Sequence, residues 1–82
     1  MVAIRWTNDD VDEAPTWQAL LDLVRETQWH VYETELEFRE AMAHRCEVWS
    51  GTAIDPGGTP EELFRELERA RLIEIVADVS DA

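Results

Sequence analysis

The stretch TELEFREAMAHRCEVW, Thr34 to Trp49, carries the longest helical pattern in the chain. Thr34 and Glu37 have the spacing of a capping box, in which each side chain satisfies a backbone N–H at the helix start. Phe38, Met42, Arg45, Cys46 and Trp49 recur at helical spacing on one face. Glu33, Glu37, Glu40, His44 and Glu47 follow the same spacing on the opposite face. The first face asks for a core; the second asks for water or a cationic partner. Ser50 and Gly51 follow, and Gly51 suits the left-handed position that ends a helix.

On the N-terminal side, Val2, Ile4 and Trp6 alternate with Ala3 and Arg5, the pattern of a half-buried strand. Thr7 to Ala14 reads as a polar, acidic loop. Its carboxylates lack the Gly and distal Glu of an EF-hand, and they suit the dipole of the helix that follows. Pro15 and Thr16 open that helix, predicted over 16–27, with Trp17, Leu20, Leu21 and Val24 as its core stripe. Trp29 to Tyr32, WHVY, is dense in aromatic and β-branched residues and reads as a short second strand.

On the C-terminal side, Asp55-Pro56-Gly57-Gly58 is the clearest turn. Thr59-Pro60-Glu61-Glu62 is a second capping box, with Pro at the first helical position. The helix it opens is expected over 60–71, with Leu63, Phe64, Leu67 and Ala70 facing inward. Leu72 to Val79 reads as a strand with Ile73, Ile75, Ala77 and Val79 on one face, and residues 79–82 as a frayed tail. The predicted order is β-α-β-α-α-β. It defines a single α+β domain over residues 1–82, with the helices on one face of a short two- or three-stranded sheet. The expected core joins Trp17, Leu21, Val24, Phe38, Met42, Leu63, Leu67, Ile73 and Ile75.

Composition excludes several classes. The net charge is −12, and all seven basic residues are arginine. A GC-rich genome or a salt-adapted cytoplasm gives such a balance without reference to function. Direct binding to nucleic acid or an anionic membrane needs clustered Lys or Arg, which the chain lacks. Cys46 is the single cysteine, which fits a reducing compartment. The segment MVAIRWTNDD shows no signal-peptide pattern, and no apolar run approaches the roughly 20 residues that span a bilayer. A cytoplasmic protein is expected.

Catalytic and metal chemistry find little purchase. Glu40, His44 and Glu47 share a helical face, but a metal site also needs ligands from a second element, and the pattern is not HExxH. His44 and Cys46 are two residues apart and point in different directions on a helix, so they do not form a nucleophile–base pair. Neither Ser50 nor Ser80 lies in a nucleophile motif. No catalytic residue, metal or cofactor is expected. The sequence is that of a non-enzymatic protein-interaction module, a small acidic regulator or inhibitor whose partner is another protein with a basic surface, and it leaves self-association open. The candidate contact residues are Glu33, Glu37, Glu40, His44 and Glu47, with the aromatic set Trp29, Tyr32 and Trp49, because Trp and Tyr are over-represented among binding hot spots. The alternative is a nucleic-acid mimic. Successive carboxylates on the stripe lie roughly 5–6 Å apart at about 1.5 Å rise per residue, near the phosphate spacing of a strand, and small acidic inhibitors encoded by phages are similar in this respect.

Overall fold

The computed structural model describes residues 1–27 and 31–80. Within them the alternating N-terminal run forms strand β1 (Val2–Trp6). The acidic segment after it does not stay a loop. Asn8 and Asp9 turn the chain: the Asn8 side chain accepts from the Asp10 N–H at 3.1 Å, and Asp9 adopts a left-handed φ of 72°. Asn and Asp tolerate that conformation better than other side chains. The turn closes with Trp6 N–H donating to the Asp10 carbonyl at 2.8 Å. Strand β2 (Val11–Ala14) then runs back antiparallel along β1, pairing Val2 with Ala14 and Ile4 with Asp12.

The sheet's second strand therefore precedes the first helix, and the strand expected at Trp29–Tyr32 is not seen at those of its residues that are described. Trp29 and His30 fall outside the described residues; Val31 and Tyr32 belong to no strand. Val31 is exposed, and Tyr32 serves packing instead. The Tyr32 ring lies 5.6 Å from Phe38, and its carbonyl accepts from Arg25 at 2.6 Å.

Helix α1 (Trp17–Glu26) is capped by Thr16, whose hydroxyl accepts from the Ala19 N–H at 3.0 Å. Its buried residues are the predicted stripe Trp17, Leu20, Leu21 and Val24. Helix α2 (Glu35–Ser50) starts at Thr34, which accepts from Glu37 N–H at 3.1 Å, and ends at Gly51 with φ 70°. Helix α3 (Pro60–Arg69) has the full reciprocal box between Thr59 and Glu62. Gly58, just before it, is favoured by its left-handed φ of +77°, and a Cβ there would also displace the Glu62 carboxylate, 2.7 Å away, that closes the box. Strand β3 (Ile73–Asp78) returns antiparallel on the other side of β1, giving the order β2-β1-β3.

Among the described residues the fold is α+β, three helices on one face of a three-stranded antiparallel sheet. Val2 and Ile4 of β1 meet Leu20 and Leu21 of α1, Phe38 of α2 and Leu63, Phe64 and Leu67 of α3 in one core. Each such side chain, fully removed from water, contributes about 1.5–3 kcal/mol before entropy is charged. One expectation fails in detail. Ala3 pairs with Ala77 but Ile4 pairs with Ile75, so Val76 is an extra residue and the strand bulges there. The bulge breaks the period-two alternation: Ile73 is buried and Ile75 half-buried opposite Trp6 and Ile4, whereas Ala77 pairs with Ala3 and Val79 is exposed.

Leu67 sits at the centre of this core with no exposure. Leu67→Ala is expected to lower unfolding free energy by about 2–5 kcal/mol, read as a shift of the urea midpoint with unchanged slope. A loss below about 1 kcal/mol would place Leu67 outside the cooperative core.

Candidate functional site

The sequence places Phe38, Met42, Arg45, Cys46 and Trp49 together on α2, and the structure divides them. Phe38, Met42 and Cys46 are buried, while Arg45 is exposed and Trp49 is 70% exposed. The core face is instead completed by Ala43 and by Arg39, which is only 6% exposed. The Arg39 guanidinium leaves α2 and donates to the carbonyls of Pro56 (3.2 Å) and Gly58 (2.7 Å), with its Nε 3.5 Å from Glu35. Glu35 and Arg39 stand at i,i+4 on the helix, but nothing local reveals carbonyls supplied from beyond the helix end.

The acidic stripe is also reshaped. Glu33, Glu37, Glu40 and His44 are exposed. Glu47 turns back and accepts from the Ile54 N–H at 2.9 Å, tying down the chain after α2. At about 100° per residue, the stripe lies on the side of α2 opposite Trp49. Tyr32 is half-buried against Phe38, and Trp29 lies outside the described residues. Among the described residues no three His, Cys, Asp or Glu side chains converge as a metal site would require.

What the sequence missed is a cleft. The turn end of the β1–β2 hairpin, the last turn of α1 and the C-terminal half of α2 enclose an open space of about 510 Å³. The hairpin contributes Trp6, Asn8, Asp10, Val11 and Asp12; α1 with its cap contributes Val24 and Thr27; α2 contributes Met42, Arg45, Cys46 and Trp49. Sites for ligands are commonly concave, mainly apolar, and carry a few placed polar groups. No local pattern in the sequence joins Trp6 to Trp49; the two line one cleft only because the hairpin turns the chain back.

Its polar groups are fixed. The Trp6 indole N–H donates to Asp12 Oδ2 at 2.7 Å, so both side chains are held on the inner face of the hairpin. Asp10 Oδ2 accepts from the Asn8 amide at 3.0 Å. On the opposite lip Arg45 reaches the Tyr32 hydroxyl at 3.4 Å. Burial pushes the Cys46 thiol above its ordinary value, with Arg45 opposing the shift. The thiol is therefore neutral at neutral pH and is a packing group of the cleft floor, since reactive cysteines are those that ionise readily.

Comparison with known protein families, with curated proteins and with solved structures finds no match. No helix among the described residues is long and apolar enough to cross a membrane.

The thiol yields a pH test. A raised native pKa means that the folded state keeps its proton where the unfolded chain, at 9.0, begins to lose it. That contribution is fully present below pH 9 and is lost as pH rises above it. Urea midpoints should fall less steeply above pH 9 for Cys46→Ala than for the parent. At pH 8 native Cys46 should react with iodoacetamide at least about tenfold more slowly than the unfolded thiol, because labelling needs local opening.

Proposed function

We propose that this chain is a non-catalytic protein-interaction module, a small acidic domain that regulates or inhibits a larger protein by docking on it. The observation that carries this reading is Trp49, a large aromatic side chain 70% exposed at the mouth of a cleft of about 510 Å³. Keeping an indole in water forgoes burial that a partner restores, and Trp is the residue type most enriched among energetic anchors of interfaces. Val48, the residue before Trp49, is also exposed. The chain's charge of −12 favours a basic partner through long-range attraction.

The second reading is mimicry of nucleic acid, and one observation favours it: Glu33, Glu37 and Glu40 are exposed together on the far side of α2. The two readings use opposite sides of one helix and separate experimentally. With the partner captured from the organism that encodes the chain, Trp49→Ala should weaken binding about 30-fold or more, the effect of losing roughly 2 kcal/mol at a hot spot. Glu37→Gln with Glu40→Gln should cost only a few-fold and should act mainly on the association rate, as charges outside the buried centre do. Mimicry requires the reverse: a large loss in the glutamine variant, little change in Trp49→Ala, and affinity that collapses as salt rises.

A further inference from the structure

We infer that the cleft receives a basic–apolar peptide segment, one aliphatic or aromatic side chain on its floor and a neighbouring Arg or Lys against the hairpin lip. The inference rests on the protein-docking reading and names the chemistry of what docks. The floor is apolar: Met42 and Val24 lie beneath, and the Trp6 ring forms one wall. The Trp6 indole N–H is spent on Asp12, so the ring offers an apolar face and no donor. Trp49 stands opposite as a second aromatic surface, exposed and able to close over an inserted side chain.

Charge selects the rest of the ligand. Asp10 and Asp12 line the hairpin side, and the carboxylate of each accepts one side-chain hydrogen bond, through Oδ2, leaving Oδ1 unbonded among the described residues. Two carboxylates held by a rigid turn beside an aromatic wall favour a guanidinium or ammonium, by Coulomb attraction and by contact with the indole face. Arg45 on the α2 lip repels the same group. A basic side chain is thus drawn to the hairpin and away from the helix, which sets the direction of the segment. The same two carboxylates exclude a phosphate strand, and a charge of −12 on each chain disfavours a second copy. A space of about 510 Å³ takes two or three side chains, the scale of a short linear segment rather than of a folded face.

The test uses acetylated, amidated pentapeptides with central sequences Arg-Leu-Arg, Glu-Leu-Glu and Arg-Gly-Arg, titrated into the intact protein while indole N–H signals are followed by NMR. The expected result is saturable binding of Arg-Leu-Arg alone, with the Trp6 and Trp49 signals moving together. Asp10→Asn with Asp12→Asn should weaken it at least about tenfold, a loss of 1.4 kcal/mol or more. Asparagine at position 12 keeps an oxygen to accept from Trp6, and an unchanged circular dichroism spectrum and urea midpoint show that the fold is kept. Trp49→Ala, at an exposed position, gives the same loss without touching the lip. Equal binding of Arg-Gly-Arg overturns the inference in favour of unspecific charge attraction, and equal binding of Glu-Leu-Glu removes the role of the aspartates. Absence of indole shifts up to about 1 mM peptide, the weak end of useful recognition, also overturns it. Capture of a host partner that still depends on Trp49 while no peptide binds sinks this inference and leaves the docking reading standing; capture that ignores Trp49 sinks the docking reading itself.

Discussion

The Arg39 guanidinium couples the parts of this fold that sequence order leaves separate. All three helices and the sheet share one core, but the chain between α2 and α3 runs through a turn containing two glycines. A Gly-Gly turn has no side chain to bury and more backbone freedom to lose than any other. Arg39 supplies the missing constraint by donating to Pro56 and Gly58 from within the buried face of α2. Hydrogen bonds from a charged donor contribute about 1.5–3 kcal/mol, although Gly58 is exposed and water can replace part of that. The bond to Gly58 falls one residue before Thr59, the N-cap of α3, so this side chain ties the turn to the start of α3. Glu47 works from the other end of the same loop by accepting from Ile54, whose side chain is buried. With α2 held this way, Met42 and Cys46 form the cleft floor and Trp49 is left at its mouth.

The same constraint explains which parts of the structure could be read from sequence. Local signals held wherever the physics is local. Thr16, Thr34 and Thr59 cap the three helices, Gly51 ends α2 in a left-handed conformation, and the α1 stripe is buried as its spacing requires. Signals failed where a residue answers to something distant in sequence. Arg39 has its partners 17 and 19 residues away. Val76 bulges because β1 changes register against β3 between Ala3 and Ile4, and β1 lies some seventy positions earlier. The hairpin at Asn8-Asp9 was a local miss: an Asn-Asp turn between two alternating runs is a hairpin signal, but the carboxylates around it resemble a solvated loop equally well. That miss hid the cleft, because Asp10 and Asp12 become neighbours of Met42 and Trp49 only after the chain folds back. The acidic stripe was legible as a pattern. Its use of Glu47 for the Ile54 backbone was not, since no periodicity reports which carboxylate turns inward.

The sheet also constrains where another chain can bind. An open three-stranded sheet has two edges, each a template for strand addition unless it is blunted. β2 is four residues long and carries Asp12 and Glu13, which limits pairing along it. β3 is the longer edge, and two features guard it. The bulge at Val76 bends the strand and interrupts an even row of donors and acceptors. Next to it, the Ile75 N–H donates to Glu68 Oε2 at 2.8 Å, so a carboxylate from α3 occupies the position an incoming carbonyl would take. Asp78 and Glu74 are engaged with Arg65 and Arg5 and keep charge along the same strand. Strand addition would therefore have to displace a charge-bearing side chain and straighten a bulge before forming its first bonds. Side-chain insertion between the hairpin and α2 meets no such cost, because the cleft is open and its aromatic walls are in place. A partner of the kind proposed would therefore meet this domain through side chains at the cleft, and not through backbone pairing at the β3 edge.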